Sequence, residues 1–94
     1  MKTFSSGLEL INNTPLIELK ILKKELGLTA NIYAKVESFN LTGSIKDRIV
    51  LNIVNELEKI YRLDKNFVII EATSGNTGIA LSAIATIKQF KAII

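Results

Sequence analysis

Apolar and polar side chains alternate along Asn31-Ile32-Tyr33-Ala34-Lys35-Val36-Glu37, a stretch rich in strand formers that predicts a β-strand. Phe67-Val68-Ile69-Ile70 is instead continuously apolar, the pattern of a strand covered on both faces. Between them, from Ser44 to about Arg62, apolar residues recur at helical spacing; Ser44 is the expected N-cap, and Asp47 in the first turn complements the positive helix end. A second helix is predicted from Gly78 to Phe90, apolar around nearly its whole circumference, with Gly78, Ala80, Ser82, Ala83 and Ala85 allowing close approach to a sheet. Residues 16–28 carry two patterns. Leu16-Ile17-Glu18-Leu19 reads as a short strand, and Ile21, Leu22 and Leu26 around Lys23, Lys24 and Glu25 as a short helix closed by Gly27.

Asn12-Asn13-Thr14 before Pro15 forms a turn, Ser38 to Gly43 and Thr73 to Thr77 form loops, and Lys91-Ala92-Ile93-Ile94 opens a further strand. Strands alternating with helices imply an α/β fold with a parallel sheet and right-handed crossovers. A sheet that stops in mid-strand implies a chain cut short.

With 94 residues the chain has the size of one small domain, whose core supplies only a few kcal/mol of net stability, so folding alone is not assured. Its 48% hydrophobic and 22% charged residues are those of a globular protein. The net charge of +3 is scattered; the densest run, Lys20, Lys23 and Lys24, reads as a solvated helix face, and aromatics are not interleaved with arginine as in a single-strand binder. No nucleic-acid partner is expected. The absence of cysteine and histidine removes disulfides, thiolate nucleophiles, zinc sites of the usual kind and Ser-His-Asp catalysis, so no metal is expected either. No signal-peptide core and no run of membrane-spanning length is present, which makes the cytoplasm the default location and excludes a membrane partner.

On a wheel of 100° per residue, Ile45, Ile49, Ile53, Ile60, Leu57, Val50, Tyr61 and Val54 share one half of the long helix, with Lys46 near the centre of that arc. Asp47, Arg48, Lys59 and Arg62 fall on the other half. An amine in apolar surroundings at a helix start is pushed toward its neutral form, which attacks aldehydes to give a Schiff base. The plainer reading has Lys46 in the first turn, snorkelling to water; the wheel by itself favours that one.

Thr73-Ser74-Gly75-Asn76-Thr77-Gly78 lies between a strand and a helix, where α/β sheets bind ligands. Free N–H groups at the helix start, three hydroxyls and one amide suit a carboxylate or phosphate. The loop is neither a P-loop nor a dinucleotide fingerprint. On pattern alone it is an anion site or an N-cap with spare hydroxyls.

Three segments together resemble the cysteine synthase family: Asn13-Thr14-Pro15-Leu16, the run from Lys35 through Gly43-Ser44-Ile45-Lys46-Asp47-Arg48, and Glu71-Ala72-Thr73-Ser74-Gly75-Asn76-Thr77-Gly78. The departures are Leu41, where the family usually has proline, and Asn12, where glycine is usual. The resemblance implies a partial parallel three-layer sheet of the tryptophan synthase β-like pyridoxal-phosphate fold. Residues 1–37 would belong to the larger domain of a two-domain enzyme and 38–94 would begin the smaller one, with the loop that grips the cofactor phosphate lying further along. It implies pyridoxal 5'-phosphate bound covalently by Lys46, which also shuttles the α-proton; Asn76 on the cofactor's ring hydroxyl oxygen; and Thr73, Ser74, Gly75 and Thr77 around the substrate carboxylate. The implied reaction is a β-replacement making L-cysteine from O-acetyl-L-serine and sulfide, in a homodimer, with serine acetyltransferase a candidate partner. A cystathionine β-synthase-like enzyme, an inactive remnant and a non-catalytic anion-binding module are the alternatives.

Overall fold

The computed structural model describes residues 1–94. A short 3-10 turn, Gly7–Leu10, precedes strand β1 (Leu16–Glu18), helix α1 (Lys20–Glu25) and strand β2 (Tyr33–Lys35). A second 3-10 turn, Glu37–Phe39, leads to helix α2 (Lys46–Ile60), strand β3 (Val68–Ile70), helix α3 (Asn76–Lys88) and strand β4 (Lys91–Ile93). The predicted elements are all present and the fold is α/β. No helix is long and apolar enough to cross a membrane.

The sheet is where expectation and structure part. β3 and β4 pair in parallel, Ile69 opposite Ala92, as a strand, helix, strand unit requires. β1 and β2 form a separate, antiparallel pair, Ile17 opposite Ala34. The Leu19 N–H donates to the Ile32 carbonyl at 2.9 Å, which continues the antiparallel ladder past β1. α1 is therefore an excursion at the end of a hairpin rather than a crossover. Gly27 at φ 61° turns the chain back after it.

The core lies between α2 and α3. Val50, Leu51 and Val54 meet Ala80, Leu81, Ile84 and Ala85, with Ile11 and Phe90 completing the cluster. Phe90 turns inward because Gln89 ends α3 in the left-handed region, φ 62°, and the Phe90 N–H returns to the Ala85 carbonyl at 3.2 Å. Leu41, the residue in place of the family's proline, packs against this core. Asn12 occupies the left-handed region at φ 73°, a conformation that glycine adopts freely and asparagine better than most residues.

α2 does not bury the middle of its apolar arc. Its inward residues are Asp47, Val50, Leu51 and Val54, while Ile45, Ile49, Ile53 and Ile60 face solvent. The buried face is shifted to one edge of the arc and past it, onto Asp47 and Leu51, so α3 covers only one side of the arc. β3 is likewise open, with Val68 and Ile70 exposed rather than covered on both faces. The accessible surface of 6735 Å² exceeds the ~5,400 Å² typical of a monomer of this mass, and the radius of gyration of 17.1 Å exceeds the ~12 Å of a compact chain this long.

Ile84 is 0% exposed and Ile53 is 53% exposed. Ile84→Ala should cost about 2–5 kcal/mol and Ile53→Ala within about 0.5 kcal/mol, as read from urea unfolding midpoints. Equal losses would contradict the face assignment of α2 and α3.

Candidate active site

Lys46 is the first residue of α2, half-buried, and its backbone N–H donates to Ser44 Oγ at 3.1 Å. Ile45, not Ser44, occupies the cap position, so Ser44 caps from one residue further out. The Lys46 amine enters none of the chain's ion pairs. It stands one turn before Val50, about 6 Å along the axis.

The hydroxyl-rich loop begins α3 two residues earlier than predicted, at Asn76. Its N-cap is Gly75, which has no side chain to bond the helix end, and the Gly78 and Ile79 N–H groups fold back onto the Gly75 carbonyl at 3.0 and 3.2 Å. The Asn76 and Thr77 N–H groups, in the first turn of the helix, have no partner in the chain. Thr73 Oγ1 accepts from the Gly75 N–H at 3.3 Å and shapes the turn. Gly78 is buried, and a Cβ there would meet Thr73 Cγ2 at 2.9 Å and Ile94 Cγ2 at 3.0 Å, so only glycine lets the loop lie this close to β4.

Two hollows flank this helix start. Thr73, Ser74 and Gly75 line one of about 470 Å³ with Gly78, Ile79, Ser82 and Ile94. Thr77 faces the other side, in a small cavity of about 50 Å³ shared with Glu71, Ile69 and Leu81 and with Val50, Ile53 and Val54 of α2. Of the six expected site residues, Thr73, Ser74 and Gly75 share one hollow, Thr77 is in the other, Asn76 is exposed at the helix tip, and Lys46 lines neither. The free backbone N–H groups and hydroxyls of the loop fit a carboxylate, and the unpaired Lys46 amine, on the neighbouring helix, fits an aldehyde-bearing cofactor.

Behind Lys46 lies a polar network that the sequence pattern did not reveal. Arg48 Nη2 and Nε donate to Glu37 Oε1 at 2.8 Å and Oε2 at 3.1 Å, a two-pronged ion pair. Thr14 Oγ1 donates to the same carboxylate at 2.9 Å, and Asn40 Nδ2 reaches Glu37 Oε2 at 2.8 Å and the Ser44 carbonyl at 3.0 Å. Asn40 Oδ1 accepts from the Asn12 N–H at 3.2 Å. Asp47 and Arg48, expected on the solvated half of the helix, are instead a fully buried acid and a half-buried base. Glu37 and Arg48 are eleven residues apart on opposite sides of the loop that leads into α2, so no single helical or strand period runs between them to flag them. Ser82 had a signal, standing four residues after Gly78, whose carbonyl accepts from its hydroxyl at 2.8 Å.

A family model described as pyridoxal-phosphate dependent enzyme matches residues 8–94. Cystathionine beta-synthase of Saccharomyces cerevisiae is 50% identical over 88 residues, which are 93% of this chain and 17% of that protein. Cysteine synthase B of Salmonella typhimurium is 46% identical over 81 residues, 86% of this chain and 26% of that protein. Among solved structures, a hydrogen sulfide-producing enzyme from Fusobacterium nucleatum superposes with a TM-score of 0.77 at 40% identity, covering 98% of this chain and 30% of that one. The chain thus spans less than a third of the length of these relatives.

The Arg48 guanidinium, with Thr14 and Asn40, holds the Glu37 carboxyl down from 4.5 to about 2, against the opposing effect of burial. A lowered folded-state value stabilises the fold above 4.5, and that stabilisation is lost as pH falls from there toward 2. Urea midpoints should drop through this window for the wild-type chain and drop less for Glu37→Gln. Parallel pH profiles would rule the ion pair out as a source of acid sensitivity.

Proposed function

Because the chain belongs to the pyridoxal-phosphate dependent enzyme family, we propose that it carries the reactive lysine and the carboxylate loop of a β-replacement enzyme that forms L-cysteine from O-acetyl-L-serine and sulfide. The observation that supports this best is the packing of α2 on α3, with the Lys46 turn of one next to the Val50 turn that shares a cavity with Thr77 of the other. In this reading Lys46 holds the cofactor through Nζ and, once released, takes and returns the substrate α-proton at that atom. Asn76 orients the cofactor ring by its hydroxyl oxygen. Thr73, Ser74 and Thr77, with the Gly75 backbone, hold the substrate carboxylate, helped by the positive end of α3. Pyridoxal phosphate, when bound, supplies the electron sink for charge developing at the α-carbon.

The proposed division is 1–37 in a larger domain and 38–94 in a smaller one. That β1–β2 and β3–β4 are separate sheets is consistent with it, although Ile11 packs into the α2–α3 core. A homodimer is part of the same proposal.

The higher identity to cystathionine beta-synthase, 50% against 46% for cysteine synthase B, favours a second reading in which a homocysteine thiol replaces sulfide as nucleophile. Lys46 and the loop keep their roles in both. Offering sulfide and homocysteine in parallel assigns the acceptor.

With pyridoxal phosphate added, the chain should gain a visible absorption band, and borohydride should fix the cofactor on Lys46. Lys46→Ala should abolish both signals. A band that survives the substitution, or a label mapped to another lysine, would refute the assignment; no band in either chain would point to a non-catalytic anion-binding module.

A further inference from the structure

Asp47 is the one charged residue fully withdrawn from solvent, 0% exposed, and it directly follows Lys46. A carboxylate is costly to bury unless its oxygens are bonded, and both of these are. The Thr42 N–H donates to Asp47 Oδ2 at 2.5 Å, and the Thr42 hydroxyl donates to Oδ1. An acid turned outward at this helix start would favour the dipole equally well without being dehydrated. Its inward orientation commits the charge to the loop instead.

We propose that Asp47 is a positioning residue for Lys46: by tying Thr42 across the first turn of α2, it fixes the backbone from which the reactive amine projects. The bonded pair closes the segment 42–47 into a ring. Within it Gly43 takes φ 87°, which few other residues accept, and Ser44 is held twice, by the Lys46 N–H on its hydroxyl at 3.1 Å and by Asn40 Nδ2 on its carbonyl at 3.0 Å. The first turn of a helix frays most readily, because its N–H groups have no partner within the helix. A reactive side chain there needs its stem fixed from outside, since chemistry depends on placement to well under 1 Å or so. The Asp47 clasp supplies that fixation from the residue next to the half-buried lysine.

This inference rests on Lys46 being the cofactor lysine, and the test separates the two. Pyridoxal phosphate is added to the 94-residue chain, reduced with borohydride, and the label on Lys46 is compared with that on the other nine lysines. Hydrogen exchange of the α2 amides reports whether each variant keeps the helix. Thr42→Val, which keeps the residue's shape and N–H, and Asp47→Ala should each lower the Lys46 share about tenfold while later α2 amides stay protected. Asp47→Asn should retain most of it, because its oxygen can accept from the Thr42 N–H and its amide can donate to the Thr42 oxygen. Asp47→Glu should not, because its longer stem would move the carboxylate off the Thr42 N–H and hydroxyl in a fully buried position. If Asp47→Ala unfolds, Thr42→Val carries the test alone. Wild-type preference for Lys46 in a folded Thr42→Val chain would overturn the positioning role and leave the cofactor assignment standing. Rescue by Asp47→Glu and not by Asp47→Asn would overturn it too, making charge the operative property. A wild-type chain with no preference for Lys46 would instead remove the cofactor assignment, and this proposal with it.

Discussion

The Glu37–Arg48 ion pair is the constraint on which the arrangement of this chain turns. Glu37 follows the end of β2, Arg48 lies in the first turn of α2, and Thr14 enters from the segment before β1, so one carboxylate ties the open end of the β1–β2 hairpin to the start of α2. The three buried polar residues, Thr14, Asn40 and Asp47, all belong to this cluster or to the clasp beside it. No buried side-chain nitrogen or oxygen is left without a partner. Such a network fixes geometry more than it adds stability, because each charge gives up hydration to enter it. What it fixes is the approach to Lys46.

The rest of the site is built by a different device. Around α3 the backbone does the work: a glycine cap leaves two N–H groups open, and a buried glycine allows the loop to lie against β4. Polar side chains then decorate a helix end that is already selective for negative charge. One half of the site is held by ion pairs and hydrogen bonds, the other by glycine and packing. The α2–α3 core joins them.

Much of this was legible in the sequence. Alternation over residues 31–37 and the Gly27 stop located β2 and the end of α1 because those signals are local. The loop at Thr73–Thr77 was recognisable as the break between a strand and a helix because glycine and hydroxyl residues cluster there, while pattern alone left it between an anion site and an N-cap. What the sequence hid was relational. The wheel could not say which part of the apolar arc α3 would cover, and it placed Asp47 on the half opposite that arc. The direction of β1 against β2 depended on α1 being too short a detour to act as a crossover. Glu37 and Arg48 met only after the chain had folded around Asn40.

The span of the Thr14 contact has a consequence for synthesis. Arg48 reaches Thr14 across 34 residues of sequence, and Ile11 waits longer still for its partners in α3. On a ribosome that adds about 5–20 residues per second, the β1–β2 hairpin is complete some seconds before α3 is made. Until then Ile11, in the turn before β1, lacks its α3 cover and is open to chaperones or to misplacement. A residue made early is thus covered only by a helix made later.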